Sequence, residues 1–146
     1  MKIIYNHRIL AALFFLSFSL AGCEKEDGMV LDRVEAPVLV TIEGTSFMQD
    51  EAVNVTATVY ELDKSGILDH TVGIDSIPLA NLAIQLKAQG VPVADLTTDA
   101  SGKVNLARSW PELGLASPLQ GNVVNLEWAG SYKGQAFVKQ SRVQVK

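Results

Sequence analysis

From Ala36 onward, apolar and polar residues alternate. Val53, Val55, Ala57 and Val59 are interleaved with Asn54, Thr56, Thr58 and Tyr60, a period of two that predicts a strand with one face buried and one wet. Leu82, Ile84 and Leu86 alternate with Ala83, Gln85 and Lys87, and Val124, Leu126 and Trp128 with Val123, Asn125 and Glu127. Shorter runs at Val38–Ile42, Val93–Thr98 and Val104–Ala107, with a last one from Gln135 to Val145, bring the expected count to about seven strands. No stretch has the spacing of an amphipathic helix, so the expected class is all-β, a single β-sandwich. In the last strand Val138 and the pair Val143 and Val145 fall on opposite faces, which predicts a bulge or twist between Lys139 and Arg142.

Turn signals separate these runs: Asp63-Lys64-Ser65-Gly66, Gln89-Gly90, Asp99-Ala100-Ser101-Gly102, Gly121-Asn122 and Gly130-Ser131-Tyr132-Lys133-Gly134. Two links are long, Glu61 to Asn81 and Ser109 to Gly121, and such links are where function is grafted onto a sandwich. The second contains Pro111, Gly114 and Pro118, spaced against a regular helix, together with Trp110, Leu113, Leu115 and Leu119. Its apolar density leaves two readings. The link folds back over one end of the sandwich, or these four residues form a partner-binding surface. Trp128 shares parity with Leu126 and Val124 and is expected in the core.

The start of the chain is of another kind. Ile9 to Ala21 is a mainly apolar run, broken only by Ser17 and Ser19, behind Lys2 and Arg8 and shorter than the ~20 residues an uncleaved membrane helix needs. It ends in Leu20-Ala21-Gly22-Cys23, which resembles the lipobox of bacterial lipoproteins, and Cys23 is the only cysteine of the chain. That resemblance implies a cleaved signal peptide over residues 1–22, an acylated Cys23, a tether over 23–35 and the folded domain over 36–146. Two or more acyl chains, at about 0.8 kcal/mol per buried methylene, make a stable anchor in the outer membrane. Within the tether, Lys25-Glu26-Asp27 resembles the export signal of Bacteroidota surface lipoproteins, which implies display on the outer face. With one cysteine, no intramolecular disulfide is available.

Charge and inventory narrow the function. Cleavage before Cys23 keeps all 16 acidic residues and loses only Lys2 and Arg8 of the 12 basic ones, giving a net charge of −6 and arguing against a nucleic-acid partner. The mature chain has one histidine, His70. Nucleophilic catalysis would have to draw on Ser65 or Ser76 with His70 and Asp69 or Asp75, without a Gly-x-Ser-x-Gly elbow, so no enzyme is expected. One histidine with scattered carboxylates lacks zinc spacing, and Asp63, Asp69 and Asp75 lack the spacing of a calcium loop, so neither metal nor cofactor is expected. Asp75-Ser76-Ile77 resembles the acceptor of the Bacteroidota O-glycosylation system and makes Ser76 a candidate modification site.

Three stretches carry a wider resemblance: Val53-Asn54-Val55-Thr56-Ala57-Thr58-Val59-Tyr60, Ile77-Pro78-Leu79-Ala80-Asn81-Leu82-Ala83-Ile84-Gln85-Leu86, and Leu96-Thr97-Thr98-Asp99-Ala100-Ser101-Gly102-Lys103-Val104-Asn105-Leu106. Their order is similar to that of bacterial immunoglobulin-like domains of the invasin/intimin type, and the Thr98–Lys103 strand-turn-strand also occurs in transthyretin-like and carboxypeptidase-regulatory-like sandwiches. Residues 61–77 are longer than the short turn usual there. The resemblance implies an immunoglobulin-like sandwich serving as a stalk, adhesion unit or accessory part. Two functions follow as expectations: an accessory outer-membrane lipoprotein that binds another envelope protein, or an adhesin or glycan-binding module.

Overall fold

The computed structural model describes residues 36–146. Among the described residues nine strands are formed: β1 (Leu39–Glu43), β2 (Ser46–Phe47), β3 (Val53–Asp63), β4 (Asp75–Pro78), β5 (Ala83–Ala88), β6 (Val91–Thr97), β7 (Lys103–Arg108), β8 (Val123–Tyr132) and β9 (Gln135–Val145). The expected seven become nine because two short strands carry little sequence pattern. β2 is held only by parallel pairing with the end of β9, and β4 lies inside what reads as a loop.

The strands form two sheets. In one, β3 pairs antiparallel with β1, β4 and β7; the other has the order β2-β9-β8-β5-β6. The neighbours β1-β3-β7 on one side and β9-β8-β5 on the other make an all-β sandwich. Inward residues of both sheets make one core, with Val53, Val55, Ala57 and Val59 of β3, Val104 and Leu106 of β7, and Ile84, Leu86, Val124, Leu126 and Trp128 of the opposite sheet. A fully buried side chain of this size contributes roughly 1.5–3 kcal/mol. The Trp128 indole N–H, taken out of water, donates to Ser141 Oγ at 2.9 Å.

Two expectations about the C-terminal half are corrected. The β8–β9 register is unbroken from Val123 opposite Gln144 to Tyr132 opposite Gln135, so no bulge lies between Lys139 and Arg142. Phe137, not Val138, shares the inner face with Val143 and Val145, and Val138 points to solvent. Gly130, expected in a turn, is inside β8 opposite Phe137, whose ring packs over the space a side chain there would take. The turn shrinks to Lys133-Gly134, both with positive φ like Gln89-Gly90 between β5 and β6. These are two-residue hairpins whose twist matches that of the strands.

Residue Tyr60 lies opposite both Leu39 and Pro78, so β4 takes the edge of β3 away from β1, the edge β7 occupies from Val53 to Thr58. Val59 is the junction. Its N–H donates to Gly102 O at 2.8 Å, and its carbonyl accepts from Leu79 N–H at 3.0 Å. Gly102, with φ of 72°, closes the Asp99 turn from which β7 departs, and a Cβ there would stand 2.6 Å from the Val59 carbonyl oxygen. Replacing Gly102 by alanine combines a left-handed backbone cost of about 1–2 kcal/mol with overpacking of similar size. We expect a loss of about 2–3 kcal/mol, read as a lower urea midpoint at unchanged slope.

Candidate contact surfaces

At the end of the sandwich where β7 finishes and β8 begins, the Ser109–Gly121 link folds inward. Pro111–Leu113 form a single 3-10 turn, with Glu112 accepting from the Ser109 N–H at 2.8 Å and from its hydroxyl at 2.6 Å. Those bonds hold the Glu112 carboxyl below its ordinary pKa, the Ser109 hydroxyl contributing most. The turn drives Trp110 and Leu113 into the core, with Trp110 1% exposed and its indole N–H donating to Met48 O at 3.0 Å. Leu115 packs partly buried against the same cluster. Of the four residues expected to form a partner-binding surface, only Leu119 faces solvent. The surface reading of this link is therefore corrected. A small sandwich has an open end, and covering it with Trp110 and Leu113 buries more apolar area than exposure to a partner would allow.

The opposite end is built differently. β3 runs beyond the sandwich to Asp63, and β4 returns along it, Asp63 opposite Asp75 and Leu62 opposite Ser76. Part of the expected Glu61–Asn81 link is thus a hairpin. All four residues of β4 are exposed, so the hairpin stands clear of the core. Its tip is folded by backbone bonds from Ile67 N to Lys64 O, Asp69 N to Gly66 O, and Val72 and Gly73 N to Asp69 O, at 2.9–3.1 Å. Asp63 Oδ1 accepts from Ser65 N–H at 2.9 Å; Asp69 Oδ1 accepts from the Thr71 N–H at 2.9 Å and its hydroxyl at 2.6 Å. Both carboxyls are held below their ordinary pKa, Asp63 chiefly by the Ser65 N–H and Asp69 chiefly by the Thr71 hydroxyl. The tip carries Ile67, Leu68, Val72 and Ile74 on its surface, with Leu68 99% exposed. Ser76, the candidate glycosylation site, is exposed on β4.

Glu61 joins the two sheets at the base of this hairpin. Its Oε2 accepts from the Tyr132 hydroxyl at 2.5 Å, its Oε1 pairs with the Lys133 ammonium, and that ammonium lies 5.1 Å from the Tyr132 ring centre. The Lys133 hydrogen bond, then that of Tyr132, holds the Glu61 carboxyl below its ordinary value of 4.5. Tyr132 and Lys133 are raised above 10.0 and 10.5, in each case mainly by the bond to Glu61. The carboxylate contribution to stability is therefore present above pH 4.5 and lost as pH falls through the lower, folded value. That of Tyr132 and Lys133 is present below their ordinary values of 10.0 and 10.5 and lost as pH rises through the higher, folded values. Glu61→Gln should melt below wild type at about pH 7, and the gap should narrow as the pH falls below 4.5. A gap that persists in acid would place the effect outside this carboxylate.

The third surface is the outer face of the five-stranded sheet. The register sets Asp95, Gln85, Ala129 and Val138 in one cross-strand row, with Ala83 and Ala136 in the next and Lys87, Glu127 and Gln140 on the other side. Lys87 and Glu127 neutralise one another at 2.8 Å. Asp95 and Arg142 are its other charged residues; the rest is small, uncharged polar or aliphatic, Val138 being 58% exposed, and no described element covers it.

Among the described residues no group of three or more histidine, cysteine, aspartate or glutamate side chains is placed to hold a metal ion, and no helix is long and apolar enough to cross a membrane. Cys23, Lys25, Glu26 and Asp27 lie outside the described residues. The hairpin tip and the Glu61 clasp escape sequence reasoning. Ile67, Leu68, Val72 and Ile74 have no strand or helix period, and Glu61 meets Tyr132 across 71 residues of chain. No protein-family model and no curated protein matches the sequence.

Proposed function

We propose that this protein is a non-catalytic lipoprotein of the outer-membrane surface, anchored through acylated Cys23, whose immunoglobulin-like domain serves as an accessory module for another envelope protein. The observation that carries the binding role is the outer face of the β2-β9-β8-β5-β6 sheet. The row Gln85, Ala129, Val138 and its neighbours Ala83, Ala136 and Gln140 form an uncharged centre that strand pairing leaves uncovered, with Asp95 on β6 and Arg142 beyond Gln140 as charges at its margin. Interface centres are depleted of charge in the same way, and small side chains on a rigid sheet lose little entropy on docking. Asp63 and Asp69 close turns of the hairpin and Glu61 is engaged in the clasp, which favours binding over chemistry. Both tryptophans are buried, so neither ring offers the stacking platform of a sugar-binding site, and this favours a protein partner over a glycan.

The test is photocrosslinking in intact cells from benzoylphenylalanine at Val138, with Leu119, on the end of the sandwich, as the comparison position. One discrete adduct from 138 and none from 119 is expected, and no adduct from 138 would remove this face from the binding role. The anchor is tested separately. Cys23→Ala should abolish palmitate labelling and release the protein from the membrane fraction. Alanine at Lys25, Glu26 and Asp27 together should keep the label but protect the protein from protease added to whole cells. Label retained without Cys23, or unchanged protease sensitivity, would overturn the respective part.

A further inference from the structure

We infer that the tip of the β3–β4 hairpin is a second membrane-contact site, which lays Ile67, Leu68, Val72 and Ile74 against the bilayer that holds the acyl anchor. The inference rests on the lipoprotein reading of Cys23 and adds a site to it. Its first ground is the tip itself. Four aliphatic side chains within eight positions face solvent on a turn closed by its own backbone bonds, at 57% exposure for Ile67, 99% for Leu68 and 58% for Val72. Apolar groupings of this kind mark a contact with a partner or a membrane.

The second ground decides the occupant, and it is where the chain enters the domain. β1 runs antiparallel to β3 with Leu39 opposite Tyr60, so the domain's first strand begins beside the point from which β3 continues to Asp63 and the tip. The segment from Cys23 to Glu35 joins the domain at this end. At about 3.3–3.6 Å per extended residue it reaches no farther than roughly 45 Å. The C-terminal residue is at the other end, where Lys146 N–H donates to Phe47 O beyond β1. An anchor attached beside the hairpin holds the tip near the lipid surface at high effective concentration, so a contact too weak to recruit the domain alone still forms.

Charge sets its depth. Asp63 and Asp75 flank the tip and Asp69 lies within it, bonded to Thr71, and their carboxylates stay in the headgroup region, so insertion is shallow and confined to the four aliphatic side chains. The same carboxylates make a zwitterionic surface a better host than an anionic one. With the tip on the membrane, the domain stands with its long axis away from the bilayer, and the outer face of the five-stranded sheet looks sideways to a neighbouring protein.

The test uses the full lipidated chain reconstituted in phosphatidylcholine vesicles whose acyl chains carry bromine quenchers. Leu68→Cys provides one thiol for a polarity-sensitive fluorophore, Cys23 being acylated, and Leu119→Cys at the opposite end is the control. Quenching at position 68 should exceed that at 119 by about three-fold or more, with a blue-shifted emission, and should fall when phosphatidylglycerol replaces half of the lipid. Adding Ile67→Asp should remove the difference while the thermal melt is unchanged, since the side chain contributes nothing to the core. Equal, water-like emission at both positions overturns the contact. Disulfide-linked dimers of the unlabelled Leu68→Cys variant would show that a second copy covers the tip, and overturn it as well. Palmitate labelling of the same preparation keeps the two readings apart: a palmitoylated chain with an unquenched tip defeats this inference alone, and a chain without palmitate defeats the lipoprotein reading and this contact with it.

Discussion

Val55→Asp is expected to destabilise the domain strongly near neutral pH. Val55 is fully buried near the start of β3, with Leu106 directly opposite on β7 and apolar side chains in the core around it. An aspartate there buries a carboxylate without a partner and discards the packing of the valine. Together these cost roughly 4 kcal/mol or more, a large part of what a domain this small has to lose. Thr56→Asp is the control. Its side chain lies on the outer face, and the substitution adds only a mild repulsion from Glu43, opposite on β1, for a cost of about 1 kcal/mol or less. Urea midpoints measured side by side should separate the two variants widely. Equal midpoints would mean that the two faces of β3 are reversed.

Trp110→Ala is the second large effect. The indole is buried at the end of the sandwich among core residues and forms a hydrogen bond to Met48 O, so truncation removes packing, opens a cavity and orphans a carbonyl. The expected cost is about 3–5 kcal/mol, a fall in melting temperature of more than about ten degrees. Phenylalanine at the same position keeps most of the volume and loses the donor, so it should recover more than half of the loss. Partner recovery should track the folded fraction in both variants, since the ring touches no surface. A variant that melts like wild type yet loses the Val138 adduct would return Trp110 to a contact role.

Much of the fold is legible along the chain because the rule that writes a sheet is local. Alternation of side chains across a strand follows from the pleat, so the inner faces of β3, β5, β7 and β8 can be named residue by residue before any partner strand is known. The tight turns are legible for the same reason, since the residues at Asp99–Gly102 and at Gln89-Gly90 provide the side-chain acceptor and the backbone freedom that such turns require. Where the local signal is only one or two residues deep, reading fails. β2 exists because β9 offers it an edge, and β4 exists because β3 overshoots the sandwich. The parity of β9 misleads because valine at 138 imitates an inward residue, while Phe137, matched to Gly130 across the strand, takes the inner face.

The surfaces divide along the same line. Sequence alone determines the apolar run near the start, the lone cysteine after it and the charged stretch that follows, on which the proposed anchor rests, since these are statements about composition and order. It also determines that Ser109–Gly121 is rich in apolar residues, but not where they go. An apolar loop residue has the same one-dimensional pattern whether it fills the open end of a core or faces water, and the difference is whether a cavity of matching size lies within its reach. Tertiary structure decides this in opposite directions at the two ends: Trp110 and Leu113 have an open sandwich end beneath them and are buried, whereas Ile67, Leu68, Val72 and Ile74 ride on a hairpin that has left the core behind and remain exposed. The same holds for Glu61, whose bonds to Tyr132 and Lys133 join residues far apart in the chain and arise only after β3 and β8 have been placed in facing sheets.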